Sequence, residues 1–337
     1  MGGKVTFTTR PRERLEEIYD REEEIKQLVE LLKKNEWVAL LGSRMSGKTS
    51  LAKAVSHSLD SRVVYVDLIK SKNLLDVLTR IYQAMPPDVI SRIKENFSFI
   101  GLGPVKVKIK QKITPKIEEL IKSLCDKRTI LILDEIQDVK AGINHLIPVF
   151  HRLLNTCPNL SIIFTGSEIG LMKTLLEQKG EQPLAGRNPV KITLKPWDYE
   201  TAKEYLKLGL EECGVAYSDK EIQEALSILG TLVGWLNFYG VNRCVKPHED
   251  ALKESLEEAI SIALSELKNA ADKKWKIKAL KLMSTGATWS ELLEKSRVST
   301  ETLSNFLDKL ERLYIIEKVE KNYVISDPVY KRAALRL

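Results

Sequence analysis

Two hydrophobic rhythms share the first half of the chain. Short runs dense in Val, Ile and Leu recur at residues 37–41, 62–67, 129–133, 160–165 and 190–194. They are too short for helices, and they read as strands buried inside a sheet. Between them, apolar residues fall at helical spacing. Ile25, Leu28, Leu31 and Leu32 predict a helix over 15–34, and Leu51, Ala52, Val55 and Leu59 predict another after residue 47. Leu74, Leu75, Leu78 and Ile81 mark a third, broken by Pro86-Pro87, and residues 143–154 carry a fourth. Strands joined by helices give the α/β class, a parallel sheet with helices on both faces. In such sheets ligands bind at the carboxyl ends of the strands.

Residues 97–112 interrupt this alternation. Phe97-Ser98-Phe99-Ile100, a Gly101-Leu102-Gly103-Pro104 turn and an arm alternating Val105, Val107 and Ile109 with Lys106, Lys108 and Lys110 predict a β-hairpin insertion. Lysines on such an edge guard against aggregation, and they would equally meet phosphates.

From Pro196 only the helical period remains, over 199–209, 219–229, 232–245 and a long helix at 250–271. The last segment adds a different pattern. A helix at 273–283 precedes Gly286, and a Thr288…Glu291 capping box opens a short helix. A third helix at 300–313 turns Leu303, Phe306, Leu307, Leu310 and Leu313 inward, and strands at 314–318 and 322–326 follow. That order predicts a winged helix-turn-helix. The expected domains are an α/β core over 1–195, an all-α lid over 196–268 and the winged helix over 269–337.

Composition narrows the class. The 337 residues are 43% hydrophobic and 29% charged, with a formal net charge of +7. That charge permits an anionic partner without demanding one. No apolar stretch approaches a membrane span, and the N-terminal residues lack the apolar core of a signal peptide, so a cytoplasmic location is expected. The myristoylation pattern of Met1 to Thr6 is loose and stands without a second membrane signal. Cys125, Cys157, Cys213 and Cys244 are widely spread with no C-x-x-C, which speaks against a zinc site or a disulfide framework and suits a reducing compartment. His57, His145, His151 and His248 show no ligand spacing.

The chemistry is carried by Gly42-Ser43-Arg44-Met45-Ser46-Gly47-Lys48-Thr49, which satisfies G-x-x-x-x-G-K-[ST]. It lies where the mechanism requires, after a strand and before a helix. The glycines let backbone N–H groups turn toward phosphate oxygens, and the helix points its positive end at the anion. Lys48 would reach the β- and γ-phosphates, the Thr49 hydroxyl would ligate Mg²⁺, and Ser50 completes the phosphate-binding stretch. A second motif ends the strand at 129–133 in Asp134-Glu135. Asp134 there would hold Mg²⁺ through water, and Glu135 would polarise the attacking water. The acidic pair also reads as a plain helix start, which the phosphate loop makes the weaker reading.

Taken together, Tyr19-Asp20-Arg21-Glu22, the loop at 42–49, LILDE at 131–135, IIFTGS at 162–167, PLAGR at 183–187 and Val324-Ile325-Ser326-Asp327-Pro328 resemble the archaeal ATPase family. This is a branch of AAA+-type P-loop proteins related to signal-transducing ATPases and origin-recognition initiators. The resemblance spans nearly the whole chain. It implies that Tyr19 and Arg21 lie near adenine and ribose. It also implies that Thr165, with Ser167 as the alternative, is the polar sensor of the γ-phosphate, and that Arg187 is a charged sensor or arginine finger acting in its own subunit or a neighbour's. Relatives carry a Gly-Gly-x-Pro-like lid motif, whereas this chain has Gly234-Trp235-Leu236-Asn237. Arg243 is a remote candidate for a lid arginine.

The expected activity is therefore an ATP- and Mg²⁺-dependent switch. It would hydrolyse ATP to ADP and phosphate slowly without a partner and pass nucleotide state to the C-terminal module. The alternatives are a nucleotide-stabilised DNA-binding regulator with negligible hydrolysis and, more remotely, a ring-forming DNA-remodelling motor. Residues 270–337 hold 14 Lys and Arg against 9 Asp and Glu. The third helix is nearly neutral, while the helix with Lys273, Lys274, Lys276, Lys278 and Lys281 is the basic one, so DNA, RNA and protein all remain open as partners.

Overall fold

The computed structural model describes residues 5–97, 113–139, 143–166 and 189–337. By their contacts these form two compact units. An α/β unit comprises residues 12–41 and 48–193. A helical unit comprises the segment up to Pro11, Gly42–Gly47 and Leu194–Leu337.

The α/β unit is built on β1 (Val38–Gly42), β2 (Arg62–Asp67), β3 (Thr129–Asp134), β4 (Leu160–Gly166) and β5 (Val190–Leu194), in the order β2-β3-β4-β1-β5. β2 pairs with β3, β3 with β4, and β4 with β1, all in parallel. Every residue of β1, β3 and β4 is buried, which is why these strands read as runs dense in apolar residues. The register sets Asp67 beside Asp134, Leu133 beside Phe164 and Leu40 beside Thr165, so the polar residues collect at the carboxyl ends.

Flanking helices are α1 (Glu22–Lys33), α2 (Lys48–His57), α3 (Leu74–Ala84), α4 (Pro87–Phe97), α5 (Ile113–Lys122) and α6 (Ile143–Thr156). Trp37 pins the sheet below the site. Its ring meets Phe150 and Phe164 edge-on, and its indole N–H donates to the Leu160 carbonyl at 2.9 Å.

Three expectations change here. The helix anticipated over 15–34 is a 3-10 turn at Leu15–Glu17 followed by α1, because Asp20 takes a left-handed backbone (φ 48°) and Arg21 is extended in φ. Pro86-Pro87 does follow the end of α3 at Ala84, and Pro87 also opens α4, where its missing N–H is harmless. Phe97, the first residue of the anticipated hairpin, closes α4, and residues 98–112 lie outside the described residues.

The helical unit runs through α7 (Tyr199–Glu212), α8 (Asp219–Leu229), α9 (Val233–Arg243) and α10 (His248–Ala270). It continues through α11 (Lys274–Met283), β6 (Ala287–Thr288), α12 (Trp289–Ser296), α13 (Thr300–Arg312), β7 (Glu317–Val319), β8 (Asn322–Val324) and α14 (Pro328–Leu335). Five of these eight helices begin where a side chain satisfies free N–H groups: Asp198, Ser218, Thr288, Ser299 and Asp327 each accept from the first turn. Thr288 and Glu291 close the capping box reciprocally. β6, β8 and β7 form a small antiparallel sheet in that order.

α14, which the periodicity did not announce, packs back on α10 and α8. Arg336 forks onto Glu257 at 2.7 and 2.8 Å, Arg332 donates to the Ile228 carbonyl at 3.1 Å, and Tyr330 donates to Glu266 and lies against Trp235. Burial, opposed by the amides of Tyr330 and Val329, pushes the Asp327 carboxyl up to about 6.

The N-terminal segment belongs to this unit. Phe7 enters between α7 and α9 at two glycines: a Cβ on Gly209 or Gly240 would lie 2.2 Å from its ring atoms. One turn further along both helices, Cys213 and Cys244 are joined, with Cα atoms 5.7 Å apart. Cys125 and Cys157 are joined in the α/β unit, with Cα atoms 5.4 Å apart. The expectation of unpaired cysteines is thus overturned, and with it the argument from cysteines to a reducing compartment. Spacing along the chain hid the pairs, since each is more than 30 residues apart (32 and 31) and meets only when helix ends converge.

Candidate nucleotide site

The chain leaves β1 at Gly42, whose φ of 147° an L-residue rarely adopts. A Cβ there would stand 2.6 Å from the Leu194 carbonyl and 2.8 Å from Ser46 Oγ. Met45 (φ 67°) and Gly47 (φ 94°) complete the sharp turn. For Met45 that conformation carries strain of about 1–3 kcal/mol. In the helical unit it is held by α9, where the Gly234 N–H donates to the Met45 carbonyl at 3.0 Å. A Cβ on Gly234 would press on Met45 at 2.5 Å, so Gly234 is a close-approach residue. Ser46 Oγ is buried with no hydrogen-bond partner. A glycine-lined turn with an orphaned buried hydroxyl fits an oxyanion ligand. Arg44 contributes charge near Tyr330.

Lys48 opens α2 and is buried, as Ser43 is in the loop. Thr49 follows, and its Oγ1 donates to Asp134 Oδ2 at 3.0 Å, with Oδ1 at 3.2 Å. Ser50 Oγ accepts the Arg12 N–H at 3.1 Å, so its hydroxyl serves the chain that precedes α1.

Around Asp134 the α/β unit gathers hydroxyl donors from three elements. Besides Thr49 from α2, Thr165 of β4 donates to Oδ1 and Tyr65 of β2 donates to Oδ2 at 2.7 Å. Asp134 is 5% exposed and Thr165 fully buried. Burial, then the Asp134 charge, raises the Tyr65 phenol well above its ordinary range and keeps it a donor. Thr165 also accepts the Glu135 N–H at 3.2 Å, which links the acidic pair to β4. Glu135 is half-buried and takes the left-handed conformation (φ 54°), a second strained non-glycine position beside the motif. A hydroxyl that spends its proton on a carboxylate leaves its lone pairs free, and the Thr49–Asp134 oxygen pair suits a hard divalent cation.

The remaining sequence candidates are placed less centrally. Tyr19 is half-buried just before α1, and Arg21 pairs with Glu24 at 3.1 Å. Arg243 pairs with Glu221 at 3.3 Å and caps the carbonyls of Ala216 and Lys246. Ser167 and Arg187 lie outside the described residues. Sequence reasoning missed Tyr65 and Asn237. Asn237 stands at the position for which the resemblance implies a proline. Its Oδ1 accepts the Tyr205 hydroxyl at 2.9 Å and the Thr8 N–H at 3.1 Å, and its Nδ2 donates to the Val233 carbonyl at 2.9 Å. A proline side chain could make none of these bonds, so here the position ties the N-terminal segment to α7 and α9.

A five-stranded α/β sheet with a glycine loop at one strand end and a hydroxyl-held aspartate at another defines a P-loop nucleotide-binding protein. The chain belongs to a family described as the ATPase domain predominantly from Archaea, whose model matches residues 18–237, and so to the AAA+-type P-loop ATPases. Among solved structures, a Walker-type ATPase of Pyrococcus abyssi aligns over 98% of this chain and 99% of its own, at 27% identity and a TM-score of 0.79. The ORC2 protein of Aeropyrum pernix, solved as ADPNP–ADP complexes, shares the fold at 14% identity and a TM-score of 0.62 over 97% and 95% of the two chains. The ORC1 protein of the same organism, solved in complex with DNA, does so at 17% identity and a TM-score of 0.51 over 94% and 92%. No curated protein matches the sequence. Among the described residues, no helix is long and apolar enough to cross a membrane.

Proposed function

We propose that the protein is an ATP- and Mg²⁺-dependent switch that hydrolyses ATP and passes nucleotide state to its C-terminal module. One observation carries the reading: the threonine closing the glycine loop donates to the aspartate that ends β3, with Glu135 next in line. Gly42 to Ser50 hold the phosphates, and Lys48 offsets their charge. Thr49 and Asp134 hold the cation, whose chemistry when bound is to neutralise the charge developing on the phosphoryl oxygens. Glu135 orients the attacking water and takes its proton. Thr165 reports the γ-phosphate through its bond to the Glu135 amide. The likeness to a Walker-type ATPase and to a protein solved with ADPNP and ADP supports the nucleotide. The test is turnover and binding in Lys48→Ala and Glu135→Gln. The first loses nucleotide binding, while the second binds and does not hydrolyse. Turnover like the parent's in both sinks the catalytic assignment.

We further infer that residues 269–337 form a winged-helix domain. Its partner is nucleic acid, met through α11 rather than α13. Lys274, Lys278 and Lys281 are exposed one turn apart on one face of α11. α13 instead places Asp308 beside Glu311, whose carboxyl is raised by burial and by that neighbour, and both charges reach Tyr323 on β8. A phosphate there would be repelled. The likeness to a protein solved with DNA supports nucleic acid as the class of partner. Duplex binding by the full chain should weaken steeply with salt, and a Lys274→Glu, Lys278→Glu, Lys281→Glu variant should flatten the slope by about 3. An unchanged slope excludes α11 as the contact.

A further inference from the structure

Tyr65 has no part in the motifs that define the site, yet its hydroxyl is 2.7 Å from the carboxylate on which they converge. The register explains how it gets there. β2 lies beside β3 with Asp67 paired to Asp134, so Tyr65 stands two residues before that pair, on the same face of the sheet as Asp67.

The ring is held from its other side. Lys53 Nζ sits 4.1 Å from the ring centroid, and Lys53 is also bonded to Glu13 at 3.1 Å. Lys53 is one turn along α2 from Thr49, on the same face. Thr49 and Lys53 of one helix therefore grip the carboxylate and the tyrosine that donates to it. A cation over the ring face fixes the ring plane, and the ring plane fixes where the hydroxyl points. Asp134 thus has its Oδ2 held by Tyr65 and its Oδ1 held by Thr165, with Thr49 touching both.

We propose that Tyr65, steadied by Lys53, is the positioning residue that sets the orientation of the Asp134 carboxylate for the nucleotide-bound divalent cation. It touches neither phosphate nor water in this role and acts only through Asp134. The proposal rests on the nucleotide reading given above. A carboxylate bonded on both oxygens cannot rotate without breaking a charge-assisted bond, so it meets the cation already aligned.

The test is a Mg²⁺ titration of a fluorescent ATP analogue bound to the full chain, run on the parent, Tyr65→Phe and Lys53→Gln, beside the same measurement in EDTA. Tyr65→Phe keeps the ring and removes one hydroxyl. It should raise the half-saturating Mg²⁺ concentration about 10- to 100-fold and leave metal-free nucleotide affinity as in the parent. Lys53→Gln should shift the Mg²⁺ requirement in the same direction by less. A Mg²⁺ curve unchanged in Tyr65→Phe overturns the proposal alone. So does an equal loss with and without metal, which would mark the tyrosine as packing. A parent that fails to bind the analogue overturns the nucleotide reading and the proposal with it.

Discussion

The carboxylate of Asp134 and the ring of Phe7 are both held fast, one by groups added around it and the other by groups left out. Asp134 is surrounded by hydroxyls of Thr49, Tyr65 and Thr165, drawn from a helix and two strands. Phe7 rests in a notch that exists because Gly209 and Gly240 have no side chains. Directional bonds to a charge can be lost singly, each weakening the arrangement by a share. A notch made by missing atoms fails at once when an atom is put back. The first region is suited to chemistry, where orientation matters. The second is suited to anchoring, where only fit matters.

Substitution at the carboxylate should have the greatest consequence. Asp134→Asn keeps the shape but turns an acceptor of several hydroxyls into a half-donor. Hydrolysis should fall on the order of a thousandfold, about 4 kcal/mol at the barrier. Thermal unfolding should shift by only the few degrees that about 1–2 kcal/mol allows. A large collapse in stability would show that the carboxylate cage is structural.

From the anchoring side the order reverses. Phe7→Ala should cost about 3–5 kcal/mol of stability, read by denaturant unfolding. Gly240→Ala should cost about 1–3 kcal/mol, and it should become nearly neutral in the Phe7→Ala background, where the ring it would strike is gone. Additive costs would mean that the glycine serves helix geometry rather than the ring. What remains folded in either variant should keep the parent's Mg²⁺ requirement.

The central strands were legible because burial on both faces makes them dense in apolar residues, and the half-buried β2 and β5 match their expected ranges through their β-branched residues. The helices of the second unit were legible through their helical period and the Thr288–Glu291 box. The loop and the Asp134-Glu135 pair were legible because a spacing fixed by phosphate geometry recurs in sequence. What escaped notice depends on contacts between distant segments. Tyr65 looks like any aromatic in a strand until the register sets it beside Asp134. Asn237 is a departure from a motif until Thr8 and Tyr205 are seen to use it. α14 was missed because Asp327-Pro328 stood only as the end of a motif, while the Asp caps the helix that the Pro begins.

The bond between Thr8 and Asn237 spans 229 residues of chain. On a ribosome adding about 5–20 residues per second, the first segment is made some 10–50 seconds before its socket exists. Through that interval the aromatic ring has no burial site of its own, until α7 and α9 form the notch that receives it. A truncation that looks like trimming a loose end would remove a core residue.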